Sequence, residues 1–262
     1  MPSSMPSNAV TWDINESVAV VTVNRPEARN ALTWEMYDAL VEACDKAESD
    51  PNVRVLIIRG SGGAFAAGTD IKQFRDFNDG EDGVAYERRL DAVIDRIERL
   101  PIATIAEVDG VAAGGGCAIA MACDFRICSE RARFGVPVSR TLGNCLSMAN
   151  TARMVDLIGP ALTRDLLLTG RMIDAHNAHA AGLANAIFSS EALEQETFKI
   201  AAELSTRACS TIAATKKMLI RLRDHCRPPA GAADDIIREC YASQEFREGV
   251  TAFLEGRKPN WY

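Results

Sequence analysis

The chain has 262 residues, enough for one large domain or one domain with a helical appendage. Apolar residues make up 47% and charged residues 25%, the balance of an ordinary globular protein, and the formal net charge of −7 argues against broad nucleic-acid or membrane-surface binding. A local basic pocket for a phosphorylated ligand stays open. The eight cysteines show no Cys-x-x-Cys pair and no zinc spacing, so they read as scattered reduced thiols of a cytoplasmic protein.

Met1–Asn8 is rich in Ser and Pro and reads as a flexible tail rather than a signal peptide. No apolar run approaches the length of a membrane span. Val18–Val23 is β-branched and strand-like, ending in the turn Asn24-Arg25-Pro26. Asn30 is placed to cap a helix with Met36, Leu40 and Ala43 on its apolar face, and Asp50-Pro51-Asn52 breaks it. Val53–Ile58 is a second buried strand. Strand, helix, strand implies a right-handed crossover and a parallel pair. Gly60–Ile71 is a glycine-rich loop running into a helix, but neither a P-loop nor a dinucleotide fingerprint. Phe74–Val84, polar and holding Gly80 and Gly83, reads as mobile. Tyr86–Leu100 is an amphipathic helix with Leu90, Val93, Ile94 and Ile97 on one face; Pro101 stops it, and Ile102–Val108 is a strand.

That strand runs into Gly114-Gly115-Gly116 and then a small-residue helix from Cys117 to Ala122. Glycines at such a turn let a ligand approach the backbone, and the following helix begins with unpaired N–H groups and a positive dipole end. This is a site for negative charge, or alternatively a tight turn packed on a neighbour. Phe125–Cys128 reads as a strand, Phe134–Pro137 as a turn, and Ser139–Met148 is polar and unassigned. Thr151–Ile158 and Leu162–Leu168 are helices broken at Gly159-Pro160. Asp174–Ala181 is a helix ending at Gly182, and the long helices Glu191–Ala208, Ala213–Arg223 and Asp234–Phe253 follow. The fold class is α/β: strand–Gly-loop–helix units winding a core, then a helical tail.

Several separated blocks resemble the crotonase superfamily, the enoyl-CoA hydratase/isomerase family. They are Asn24–Leu32, Phe65–Ile71, Val108–Cys117, Ala122–Ile127, Leu168–Gly170, Gly182-Leu183 and Arg247–Gly249. The resemblance implies a spiral of ββα units over residues 9–190 after the tail at 1–8. It also implies a C-terminal helical region at 191–262 that packs homotrimers or dimers of trimers. The implied ligand is an acyl-CoA, with no cofactor beyond the coenzyme A of the substrate. Two backbone N–H donors would stabilise a thioester enolate, and residue matching puts them at Ala67 and Gly115. Ala66, Ala67, Gly68, Thr69, Asp70, Gly114 and Gly115 would line the substrate and CoA path. Arg25 or Arg29 would lie near the CoA, and Phe253 and Arg257 would reach a neighbouring subunit's ligand, solvation or packing being the alternative for all four.

The sequence departs from the family where hydration chemistry sits. The position after Gly-Gly-Gly-Cys, a glutamate in hydratases, is Ala118. The second glutamate position falls on Val138 or, with the loop one residue longer, on Ser139. Neither is a carboxylate, and a serine hydroxyl is too weak an acid to act unaided. The two-carboxylate hydration and the single-glutamate isomerisation both lose their groups. Asp124 reads as structural, and Glu107 points in or out of the site depending on strand alternation. Glu81, Asp82 and Glu87 are solvated or swing over the thioester. Ser139, Arg140, Asn144, Cys145 and Ser147 form a polar, specificity-setting loop. Cys145 as a nucleophile has no histidine near in sequence, and His176 and His179 lack a third metal ligand. The expected function is an acyl-CoA enzyme of the lyase or isomerase class with a non-standard or substrate-borne acid/base. The alternatives are an inactive acyl-CoA-binding homologue and, third, a thioester hydrolase.

Overall fold

Buried apolar runs pair as parallel strands because both their faces need cover. A computed structural model describes residues 9–226 and 229–261; the tail expected at Met1–Asn8 lies outside the described residues. Its strands are β1 (Val10–Asn15), β2 (Val18–Val23), β3 (Val55–Gly60), β4 (Ala103–Val108), β5 (Val111–Ala113), β6 (Phe125–Ser129), β7 (Arg133–Gly135), β8 (Ile173–Asp174) and β9 (Ala186–Phe188). Its helices are α1 (Trp34–Ser49), α2 (Gly80–Glu98), α3 (Gly115–Ala122), α4 (Val138–Thr141), α5 (Met148–Thr169), α6 (Ala175–Ala180), α7 (Ser190–Ser205), α8 (Cys209–Cys226), α9 (Asp234–Ala242) and α10 (Gln244–Leu254).

The main sheet has the order β1-β2-β3-β4-β6-β9, parallel except for the β1–β2 hairpin; a small sheet joins β5, β7 and β8. Alternation divides β3 and β4 between two cores. Leu56, Ile58, Ala106 and Val108 face the larger one, with α1, α2 and α3. Val55, Ile57, Ala103 and Ile105 face the smaller one, covered by Leu193 and Ala201 of α7. The mixed α/β architecture with a helical C-terminal region is as expected. Among the described residues no helix is long and apolar enough to cross a membrane.

Several local expectations change. Thr33, not Asn30, precedes α1. Asn30 has a left-handed φ of 58° and is fully buried. Its amide donates to Ser61 O at 2.8 Å and Ala64 O at 2.7 Å, tying the first glycine loop to the turn after β2. The segment expected to be mobile is ordered: a 3₁₀ turn at Ile71–Phe74 buries Phe74, and α2 starts at Gly80 behind a capping box of Asp79 and Asp82. Phe134 sits in β7 rather than in a turn. The break at Gly159 falls as expected, with φ 73° and ψ 163° inside α5. The last expected helix is two, because Ser243 ends α9 and caps α10 through Phe246 N.

Candidate active site

The two glycine-rich segments run side by side. Ala66 N donates to Val111 O at 3.0 Å, and Ala66 O accepts from Ala113 N at 2.9 Å. A trans peptide points its C=O and the next N–H in opposite directions. The Ala67 N–H therefore faces away from β5 and donates to Arg29 O at 3.0 Å. This corrects the expectation at Ala67: its amide is committed within the fold and is not free for a substrate oxygen.

Gly68 turns the chain over. With φ at +107°, a conformation side chains rarely adopt, it directs its C=O to Leu32 N at 2.8 Å. Thr69 N–H, on the far side of that peptide, consequently points away from Leu32. Asp70 N returns to Leu32 O at 2.8 Å and closes the bridge. Among the described residues Thr69 N–H has no acceptor. Gly114, with φ +50°, caps α3 and donates to Gly135 O at 3.0 Å, while the first intrahelical bond is Ala118 N to Gly114 O. Gly115 N–H, at the first position of α3, likewise has no acceptor among the described residues. Thr69 and Gly115 are neighbours: a Cβ built on Gly115 would stand 3.4 Å from Thr69 Oγ1.

A chain of hydroxyls backs this corner. Tyr37 of α1 and Tyr86 of α2 each place a phenol oxygen 2.8 Å from Thr69 Oγ1. Burial pushes both phenols above their ordinary range, so both keep their protons. Three hydroxyls share two hydrogen bonds, which leaves one O–H uncommitted. Tyr37 lies so near Gly115 that a Cβ there would be 2.3 Å from the phenol oxygen. Aromatic rings close the outer side: Tyr86 meets Phe74 with centroids 4.9 Å apart, and Tyr241 meets Phe246 at 4.7 Å.

A second polar cluster follows on α2. Glu87 is 2% exposed, and its Oε1 accepts from Tyr241 OH at 2.6 Å. Asn144 Nδ2 donates to the same phenol oxygen at 2.9 Å. Burial pushes the Glu87 carboxyl up to about 8, so it is mostly protonated at neutral pH. Tyr241 reaches Glu87 because α9 presses on the glycines of α2; a Cβ on Gly83 would stand 2.2 Å from the Tyr241 ring. Three of the chain's four tyrosines thus gather here, at 37, 86 and 241. Helical periodicity marks them only as core positions; the lone signal was a polar tip on residues bound for the interior.

The other sequence candidates divide clearly. Ala118 is fully buried in the larger core, and Val138 is half-buried against it. Ser139 Oγ turns away and donates to Leu167 O at 2.7 Å. Arg25 is held by Asp70 at 2.7 Å and by Ala31 O at 3.0 Å, so it braces the Thr69 segment. Arg29 is exposed. Asp124 accepts from Thr104 N, Thr104 Oγ1 and Lys216 Nζ at 2.8, 2.9 and 2.7 Å, a structural role. Glu107 shares its face of β4 with Ala103 and Ile105 and meets Arg59 at 3.6 Å on the α7 side, away from Thr69. Glu81 pairs with Arg238, and Asp82 caps α2, so neither swings over the thioester. Ser147 Oγ donates to Asp91 at 2.6 Å. Cys145 shares a hydrogen bond with the Cys240 thiol, and burial helps push it up, which removes it as a nucleophile. Phe253 is exposed, and Arg257 pairs with Glu248 of its own chain at 2.5 Å. His179 Nδ1 lies 2.8 Å from Ala184 O, and the described residues hold no group of three metal-binding side chains.

The sequence model of the family described as enoyl-CoA hydratase/isomerase matches residues 13–262. The chain is 34% identical over 250 residues to a crotonyl-CoA hydratase from Syntrophomonas wolfei, covering 94% of this chain and 95% of that one. Among solved structures it resembles a methylmalonyl-CoA decarboxylase in complex with 2-nitronate-propionyl-CoA, with a TM-score of 0.89, 28% identity, and coverage of 97% and 98% of the two chains. It also resembles an enoyl-CoA hydratase/carnithine racemase from Magnetospirillum magneticum, with a TM-score of 0.79, 30% identity, and coverage of 98% and 96%. The chain belongs to the enoyl-CoA hydratase/isomerase family of the crotonase superfamily.

Proposed function

We propose that this protein is an acyl-CoA thioester enzyme that holds a thioester enolate between the Thr69 and Gly115 N–H groups and hydrates enoyl-CoA poorly. The observation that carries the reading is the turned-over Gly68 peptide, which frees Thr69 N–H beside Gly115 N–H. Losing one such donor typically costs about 3 kcal/mol in the transition state. The CoA arm runs along Ala66–Asp70 and Gly114. Arg29, being exposed, is the cation left for its phosphates, since Arg25 is taken by Asp70. Exposed Met218, Leu219 and Leu222 of α8 support assembly into trimers within the same reading.

Adding water across a double bond needs a base and an acid at the water, and Ala118, Val138 and Ser139 supply neither. The Tyr37–Thr69–Tyr86 chain has one spare O–H and acts as proton donor to the enolate. A neutral buried phenol is an acid, not a base. The site therefore suits a reaction that makes its enolate without proton abstraction.

One such reaction forms a second, finer reading. Decarboxylation of a malonyl-type thioester breaks the C–C bond to the carboxylate, sends that electron pair into the thioester, and releases carbon dioxide. A proton then goes to the carbon. The absence of a carboxylate at positions 118 and 138 favours it, and so does the similarity to a methylmalonyl-CoA decarboxylase.

A panel of crotonyl-, methylmalonyl- and butanoyl-CoA, scored for both thermal stabilisation and turnover, tests the reading. All three should stabilise the fold, with crotonyl-CoA scarcely hydrated. An ordinary hydratase turnover, or no stabilisation by any thioester, overturns it.

A further inference from the structure

The loop between α4 and α5 lies hard against the C-terminal helices. A Cβ on Gly143 would stand 2.9 Å from Glu245 O, and one on Gly249 2.3 Å from Leu142 O. Asn144 Nδ2 donates to Tyr241 OH at 2.9 Å, and the Cys240 thiol donates to Gly143 O at 3.3 Å. Held this way, Cys145 and Cys240 meet, and the Cys145 S–H donates to the Cys240 sulfur. That contact keeps the proton on Cys145 and pulls the Cys240 thiol below its ordinary range. Both cysteines are half-buried. The other six lack this combination. Cys44, Cys117, Cys123 and Cys128 are buried, and burial pushes the first three up to about 12 and the last to about 11. Cys209 and Cys226 are exposed but stand at opposite ends of α8, about 25 Å apart.

We infer that Cys145 and Cys240 are a redox-active dithiol that hydrogen peroxide closes into a disulfide, fastening the loop ahead of α5 to α9. The Cys240 thiolate attacks one peroxide oxygen. An S–O bond forms, the O–O bond breaks, and the departing hydroxide takes a proton to become water. Cys145, too firmly protonated to attack a substrate, already touches the one sulfur it must reach. Its sulfur displaces hydroxide from the Cys240 sulfenic acid; the S–S bond forms, the S–O bond breaks, and the Cys145 proton leaves with the hydroxide as a second water. Two thiols are oxidised by two electrons, and one peroxide is reduced to two waters. The link stands next to Tyr241, whose ring lies 6.0 Å from that of Tyr86, the phenol that touches Thr69. It therefore fixes the outer wall of the candidate site. The dithiol does not depend on the acyl-CoA reading.

The test is hydrogen peroxide treatment of the whole protein, trapping of the remaining thiols with iodoacetamide in denaturant, and peptide mass mapping. The expected product has lost two hydrogen atoms, joins the peptides that hold Cys145 and Cys240, and returns to the dithiol with dithiothreitol. In a Cys209→Ser, Cys226→Ser background, which prevents links between chains, the oxidised protein should melt higher by at least roughly 4 °C, because the link closes a long loop. Cys145→Ser leaves Cys240 without a resolving thiol, so peroxide should carry it on to the sulfinic acid. Cys240→Ser should leave Cys145 a free thiol. If either variant does not fold, the map of the unaltered chain decides alone. Trapping of both Cys145 and Cys240 after peroxide, sulfinic acids at both, or a link made by other cysteines in place of theirs would overturn the dithiol. A melting transition that fails to rise would overturn the fastening.

Discussion

Leu32 donates its backbone N–H to Gly68 C=O at 2.8 Å, and this bond decides which way the Thr69 amide points. A side chain at position 68 would have to adopt φ +107° with its Cβ 3.2 Å from Ala113 O. Gly68→Ala is expected to cost about 1–3 kcal/mol of stability through backbone strain. It should also weaken acyl-CoA binding by turning the peptide back. Chemical denaturation with and without butanoyl-CoA measures both effects; an unstrained variant with unchanged affinity would remove the turned peptide from the account.

Gly115 and Tyr37 are coupled through space. Gly115→Ala would drive a methyl group to 2.3 Å from the Tyr37 oxygen, whereas without that oxygen the nearest atoms are 3.4–3.5 Å away. Overpacking of this kind costs about 1–3 kcal/mol. In a Tyr37→Phe background the same substitution should cost much less. A double-mutant cycle in unfolding free energy should therefore show an interaction of at least about 0.5 kcal/mol; additive costs would mean the phenol is not where Gly115 needs it absent.

Thr69→Val removes the hub of the hydroxyl chain and leaves two buried phenol O–H groups without a partner. The expected loss is about 1–3 kcal/mol, with turnover of any processed thioester falling further because the proton donor is disorganised. Thr69→Ser should restore both, a pattern that mere loss of packing would not give.

Much of the fold was legible in the chain, and the reasons are local. β4 reads as a strand because a short, mostly apolar run lies between Pro101 and the glycine turn, and all six of its residues are buried, Thr104 and Glu107 included. Gly114–Gly116 reads as a strand-to-helix turn because glycine leaves few alternatives. The donor at position 69 was not legible. Residue matching names a segment, but which amide of Ala66–Asp70 is free depends on which peptides Arg29 and Leu32 claim, a long-range fact. Tyr37, Tyr86 and Tyr241 were hidden for a similar reason, since their ring surfaces satisfy helical periodicity while their hydroxyls meet only in three dimensions. β1 carries little strand signal because four of its six residues are exposed and it pairs on one side only.

Restoring at position 118 the glutamate that hydratases carry is not expected to restore hydration in this fold. Ala118 has no exposed surface and sits in the larger core. Ala118→Glu would bury a carboxyl group without a partner and overpack its neighbours. It is expected to lower stability by about 2–5 kcal/mol and to add no crotonyl-CoA hydratase activity. A gain in hydration with an intact melting transition would show that the pocket is still shaped for water.

Glu87 makes stability depend on pH. Burial raises its carboxyl from 4.5 to about 8, with Asp91 and Cys240 adding to the rise while the Tyr241 hydroxyl and Ser147 N–H oppose it. Below pH 4.5 the folded and unfolded forms both hold the proton, so its contribution is fully present there. Between 4.5 and 8 only the folded form holds it, and stability falls as pH rises, by up to about 1.4 kcal/mol per pH unit. Glu87→Gln should flatten that slope. Denaturation curves of both proteins from pH 5 to pH 8 decide the matter, and parallel slopes would place the shift elsewhere.

The polarisation of a bound carbonyl probes the pair of amides most directly. Butanoyl-CoA labelled with ¹³C at the thioester carbon is a suitable ligand, because it has no double bond to hydrate. With both Thr69 and Gly115 donating to its oxygen, the bound resonance should move downfield of the free one, and Gly68→Ala should return it most of the way. A saturated complex whose carbonyl resonates where the free thioester does would contradict the account.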